Sequence, residues 1–313
     1  MKSVWLALMP AVFVFLWSTG FIGAKYGLPY AEPFTFLTLR LALVLAGFAA
    51  FAALTATRWP SAAGFGHAMV VGVLVHAGYL GGVFTSIDGG VPAGISAMIV
   101  SLQPLLTAVV VGPLLGERLT WRQGAGFVLG VVGVALVLFG DQMSAGGAAS
   151  APGVGAPVWA IGASIVALIS ITTGTLYQKR YCGGIDIRAG AVAQYLAATG
   201  VTAALALAFE PLEIAWSGDF LFALAWLVVV LSFGATTLLM LLIRMGAASR
   251  TASLFYLVPP MTALIAFIMF DEALGPTSLI GMLVSVCGVA LVIGGASQPG
   301  KATPGQGVRR QEK

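Results

Sequence analysis

Stretches of roughly 20 apolar residues follow one another along this chain, separated by short polar or Pro- and Gly-containing connections. A hydrocarbon core takes about 20 helical residues to cross. Ten such spans are predicted, over 4–26, 33–54, 64–87, 92–115, 121–140, 157–177, 189–209, 219–243, 250–270 and 276–296. Proline suits the first turn of a helix, and Pro33, Pro92, Pro157 and Pro276 stand at predicted starts. The pattern predicts an all-α polytopic membrane protein. Residues 141–156 form a Gly/Ala/Ser/Pro-rich linker, and the polar tail over 297–313 is predicted to be disordered.

The apolar pattern is duplicated. Pro104 and Pro259 are 155 apart (259 − 104), and at that shift Thr107 meets Thr262 and Glu117 meets Glu272. Gly126, Gly133 and Gly140 then meet Gly281, Gly288 and Gly295 without a gap. Apolar composition yields chance matches at Leu, Val and Ala, but not a Pro, a Thr, a Glu and a set of glycines in one register. Near the start of each half the shift is 154 (173 − 19), which aligns Thr19-Gly20 with Thr173-Gly174 and Lys25 with Lys179. The halves are predicted as 1–140 and 157–296, with five spans each. An odd number of spans inverts the second copy, the architecture of many secondary transporters.

Composition excludes a soluble domain. Only 8% of the 313 residues are charged and 59% are hydrophobic, with a mean hydropathy of +1.00, whereas soluble domains carry about 25% charged residues. The net charge of +4 is scattered among short connections, so no nucleic-acid partner is expected. Cys182 and Cys287 make no metal or redox spacing, and neither metal nor cofactor is predicted. The first apolar stretch lacks a small-residue cleavage signature and reads as a membrane span. Of the 15 Lys and Arg, all but Lys25 and Arg40 fall on one side when the N-terminus is placed in the cytoplasm. Both termini are therefore expected inside, and the 141–156 linker outside.

The polar residues within spans are the candidate chemistry. Arg40 lies about seven residues into the second span, where an unpaired charge costs roughly 2.5 to 3.5 kcal/mol at a helix centre. It either faces a cavity and pairs with a substrate carboxylate, or is a structural group tied to Glu32, to carbonyls or to the interface. Its repeat mate is Gln194, again polar. His76 and Tyr79 share a face of the third span; His76 either bonds substrate or is satisfied by a neighbouring helix. Gln103 precedes Pro104, and Tyr256 precedes Pro259-Pro260. Proline removes a backbone donor, so both helices are expected to kink at Pro104, Pro259 and Pro260 and to gate the site there. Trp17 and Tyr195 supply candidate aromatic walls. The glycines of the fifth and tenth spans suit close helix contact, inside one chain or at the face between two copies. Glu117 and Glu272 are expected to tie helix ends.

No HExxH, no phosphate-binding Gly-Lys pattern and no paired intramembrane acids are present, so no catalytic residue is assigned. Ser232 and His76 are a conceivable nucleophile and base, but no spacing asks for the pair.

LWST in the first span, the Pro104 region followed by LLGERLT, and YLVPPMTALIAFIMFDEALGPTSLIG in the second copy resemble the EamA-type repeat of the drug/metabolite transporter superfamily. The interval of 13 between proline and glutamate (117 − 104 and 272 − 259) carries the resemblance twice. It implies a ten-helix permease in a cytoplasmic membrane, and for many members export of amino acids and other metabolites, others importing or exchanging other solutes. Related small multidrug exporters carry an intramembrane Glu in their first helix. This chain has none, which weakens proton coupling through a buried carboxylate.

Overall fold

A computed structural model describes residues 2–107, 121–144, 156–242, 254–272 and 274–296. It is all-helical, with no strand among the described residues. The helices are α1 (Lys2–Gly27), α2 (Pro33–Leu54), α3 (Ala62–Asp88), α4 (Ala93–Thr107), α5 (Trp121–Ser144), α6 (Val158–Tyr181) and α7 (Ile187–Phe209). They continue as α8, in three consecutive segments (Gly218–Ala225, Trp226–Ala235 and Thr236–Leu242), then α9 (Phe255–Phe270) and α10 (Pro276–Ala296). Among the described residues, α1, α2, α3, α6, α7 and α8 are long and apolar enough to cross a membrane, while α4, α5, α9 and α10 show shorter apolar stretches. α5 runs on through 141–144, which the sequence reading assigns to the linker, so the linker starts later than its Gly/Ala/Ser/Pro composition suggests. Glu117, residues 145–155 and the tail lie outside the described residues.

Helix ends follow their sequence signals. Ser61, Asp186 and Ser217 each accept a backbone N–H of the first turn, at 3.2, 2.9 and 3.1 Å, capping α3, α7 and α8. α9 ends because Asp271 adopts the left-handed conformation (φ 56°), a geometry short polar side chains tolerate. The turn it makes brings Glu272 back over the bundle, where it pairs with Lys25 of α1. That fulfils the tying role expected of Glu272.

Large apolar side chains face outward on many of the helices, as Phe51, Leu207, Phe222, Val229 and Ile268 do, which suits hydrocarbon and not water. Inside, Phe36, Phe84 and Phe220 are fully buried, and Phe36 lies 5.4 Å from Phe84 and 5.1 Å from Phe220. Their edge-on and tilted contacts join α2, α3 and α8.

Small residues set the closest crossings. A methyl group on Gly133 would meet the Gly281 carbonyl at 2.5 Å, and one on Gly288 would meet the Gly126 carbonyl at 2.6 Å. α5 and α10 therefore cross antiparallel with bare backbones in contact, supported by Ser285 Oγ donating to the Gly130 carbonyl at 3.0 Å. These glycine faces are used within one chain. Gly20 packs α1 against Leu231 of α8, and Gly174 packs α6 against Leu74 and Val75 of α3. α2 packs chiefly on α7, and α4 on α9.

The proline helices differ in detail from the expected kinks. α4 breaks into a turn at Ser101-Leu102, immediately before Gln103-Pro104, and then resumes. In α9 a single 3₁₀ turn over Phe255–Leu257 precedes the α-helical part, which begins at Val258 with Pro259 and Pro260 in its first turn. Here proline occupies the position where its missing donor costs nothing. A second irregularity is absent from the sequence reading: α3 over Val73–Gly78 and α8 over Trp226–Ala235 wind as π-helix.

Candidate functional site

Five residues of the predicted site converge from three helices, and Ser232 of a fourth joins them. Arg40 of α2 is 4% exposed, and among the described residues its guanidinium makes one hydrogen bond, Nη2 to Ser232 Oγ of α8 at 3.4 Å. Its Nε has no partner there. His76 and Tyr79 of α3 and Tyr195 of α7 lie close enough to feel its charge. His76 reaches the Gln194 side chain and stacks on the Tyr195 ring at 4.3 Å with 18° between planes. Tyr195 in turn stacks on Phe48 at 5.6 Å and reaches Ser232. Arg40, His76, Tyr79, Gln194 and Tyr195 thus form one cluster, as their positions in the sequence lead one to expect. Among the described residues, neither Glu32 nor a backbone carbonyl holds Arg40.

Local winding produces this convergence. Arg40 and Phe48 are eight residues apart and share one face of α2. Gly72 lets α3 lie directly on α7, because a side chain there would overlap the backbone of Gln194. The π segment that follows rotates His76 toward Tyr195 and Gln194. Ser232 sits in the other π segment, where its hydroxyl donates to the Leu227 carbonyl five residues back, at 3.0 Å. Its oxygen remains free to accept from Arg40. Wide turns of this kind recur at functional sites because they loosen the backbone ladder and redirect side chains. Ser232 and Phe48 were not legible as site residues; Ser232 is weighed in the sequence only as a nucleophile, and Phe48 is one of 18 phenylalanines.

The other candidates fall elsewhere. Trp17 packs in a separate aromatic group with Phe13 at 5.4 Å and Phe255 at 5.2 Å. Gln103 Nε2 donates to Thr175 Oγ1 of α6 at 3.1 Å. Tyr256 is buried among Leu105 and Val289, and its hydroxyl has no partner among the described residues. These three are not part of the Arg40 cluster. A groove of about 170 Å³ lined by Ile99, Leu102, Val131, Val134, Ile161, Ile165 and Leu168 is apolar throughout and shares no residue with it. The groove lacks any group to orient a polar solute, so the candidate site is the cluster.

Both ends of the bundle are tied around this cluster. At one end Lys25 pairs with Glu272, and the Tyr26 and Tyr30 hydroxyls donate to the Asp219 carboxylate at 2.8 and 3.0 Å. The Glu210 carboxylate accepts the Phe34 and Thr35 backbone N–H groups at 2.8 and 2.7 Å, closing the start of α2 against the end of α7. At the opposite end Asp186 accepts from Arg188 at 2.7 Å, and the guanidinium holds that carboxyl well below the usual carboxylate range. His67 Nδ1 and the Tyr177 hydroxyl share a hydrogen bond of 2.8 Å. Arg58, Arg122, Lys179 and Arg180 gather at this second end.

Residues 2–139 match the EamA-like transporter family. A probable terminal-alkyne amino-acid exporter of Streptantibioticus cattleyicolor is 28% identical over 216 residues, 64% of this chain and 64% of its own length. The uncharacterised transporter YvbV of Bacillus subtilis is 26% identical over 302 residues, 91% of this chain and 90% of its own. A probable amino-acid metabolite efflux pump of Salmonella typhimurium is 28% identical over 137 residues, covering 44% of this chain and 43% of its own. A solved crystal structure shares the fold with a TM-score of 0.62 at 19% identity, over 94% of this chain and 98% of its own. These relatives are named as transporters and exporters, and residues 2–139 of this chain carry the similarity to the EamA-like transporter family.

Proposed function

We propose that this protein is a secondary transporter that exports amino acids or related small metabolites across the cytoplasmic membrane. It works by alternating access of two inverted five-helix halves around the Arg40 cluster, with both termini in the cytoplasm.

Packing supports the inverted halves. Adding 154 to Val73–Gly78 gives 227–232, inside the second π segment at Trp226–Ala235. Gly20 and its mate Gly174 each pack against one of those segments. The contact of Gly133 with Gly281 maps onto that of Gly288 with Gly126, as a twofold relation requires.

The observation that carries the function is the packing of α2 on α7 around Arg40, where Tyr195, next to the repeat mate Gln194, stacks on Phe48 of α2 and on His76 of α3 while Arg40 donates to Ser232. Inverted-repeat carriers bind their cargo where the halves meet near the midplane. Two relatives whose names mention amino acids or their metabolites support this substrate class. The test is counterflow in liposomes with labelled aromatic and branched amino acids, their derivatives and sugars. Accumulation of an amino acid or derivative against an internal pool supports the reading. Accumulation of sugars alone replaces it with another solute class.

A further inference from the structure

We infer that the Arg40 site selects by net charge. It takes a carboxylate whose amino group is absent, acylated or otherwise uncharged, in preference to a zwitterionic amino acid. The inference rests on the reading that this cluster binds the substrate.

Arg40 is the one permanent charge of the cluster; its companions His76, Tyr79, Gln194, Tyr195 and Ser232 include no acid. No described acidic side chain is within reach to balance it. Glu32 precedes α2 by one residue and is eight residues from Arg40, about 12 Å along the helix at 1.5 Å per residue. Asp219 is engaged by Tyr26 and Tyr30, and Glu210 by the start of α2. The guanidinium is nonetheless buried, and among the described residues it has an unpartnered Nε and one long hydrogen bond. Such a group gains most from an anion that can take two parallel N–H donors, which is a carboxylate.

A zwitterion fits that demand poorly. The ammonium of an α-amino acid rides within about 5 Å of whatever holds its carboxylate. In a site of low dielectric it is repelled by the guanidinium with a strength that grows as water is excluded. It also needs acceptors, and an ammonium is best met by a carboxylate, which this cluster does not contain. The Tyr195 and Phe48 rings offer an apolar wall next to the cation, suited to a planar or branched side chain on the same substrate.

The experiment is uptake into liposomes of phenylalanine, N-acetylphenylalanine and phenylpyruvate by the full chain, with Arg40→Lys and Arg40→Gln alongside. Both anions are expected to move at least about tenfold faster than phenylalanine in the wild type. Arg40→Lys keeps the charge and loses the fork, so it should keep the order with slower uptake. Arg40→Gln, checked as monodisperse in detergent, should erase the preference. Equal uptake of zwitterion and anions, lost together in Arg40→Gln, overturns charge selection while leaving the site in place. An unchanged profile in folded Arg40→Gln, or no uptake of either anion by the wild type, overturns the inference at its root, and the first of these removes the site as well.

Discussion

Lys25, in the last turn of α1, pairs with Glu272, which the left-handed turn at Asp271 swings back over the end of the bundle. Its repeat mate Lys179, at the same place in α6, is exposed at the opposite end. Equivalent lysines therefore have different surroundings at the two ends. The pair fastens α1 to the α9–α10 connection on the side that also carries the Asp219 and Glu210 ties. Glu272→Gln removes the charge and keeps the shape. With Cys182 and Cys287 replaced by serine, a reporter Tyr30→Cys should be labelled several-fold faster by a hydrophilic thiol reagent in Glu272→Gln than in its Glu272 parent. Equal labelling would show the pair to be ornamental to closure.

The α5–α10 crossing is set by backbone contact, so bulk there should be felt in stability. Gly288→Leu must push α10 off the Gly126 and Gly130 backbone. Overpacking of this kind costs about 1 to 3 kcal/mol. A lower melting temperature in detergent is expected for Gly288→Leu and little change for Gly162→Leu, where a side chain has open space. Similar effects from both would mean the crossing is not as tight as its glycines imply.

The two proline sites act differently. Pro104 follows a broken turn within α4, whereas Pro259 opens the α-helical part of α9. Pro104→Ala restores a donor inside a helix and should straighten α4, slowing transport by about an order of magnitude at normal expression. Pro259→Ala changes a first-turn position and should cost less. A Pro104→Ala protein with full activity would remove the break from the mechanism.

Topology is fixed in this account by the clustering of Arg58, Arg122, Lys179, Arg180 and Arg188 at one end. Reporter fusions at the two termini and in the 182–186 connection should all report cytoplasm, and a fusion in the 141–156 linker the outside. A cytoplasmic linker would break the inverted arrangement.

Much of this was readable in the chain. α2 and α10 begin and end where the apolar runs and Pro33 and Pro276 place them, because in lipid a helix must satisfy its own backbone and its length is set by the hydrocarbon. Arg40, His76, Tyr79, Gln194 and Tyr195 stand out in the sequence because polar side chains within apolar spans are costly. Trp17 and Tyr256 pack apart from that cluster, since an aromatic ring serves packing as readily as binding and composition does not tell the two apart. The π segments were invisible: nothing in Val73–Gly78 distinguishes an i−5 ladder from an i−4 ladder until α3 is laid against α7. Ser232 was hidden for the same reason, since its partner lies 192 residues away, on a helix whose rotation the π winding sets.

The central claim is that the Arg40 cluster is reached from both sides of the membrane in turn. Gln194→Cys in the Cys182→Ser, Cys287→Ser background tests it most directly, by thiol labelling in right-side-out and inside-out vesicles with and without a transported substrate. The account predicts labelling from either side, slowed by substrate in both. Labelling from one side only, or at a rate that substrate leaves unchanged, would contradict it.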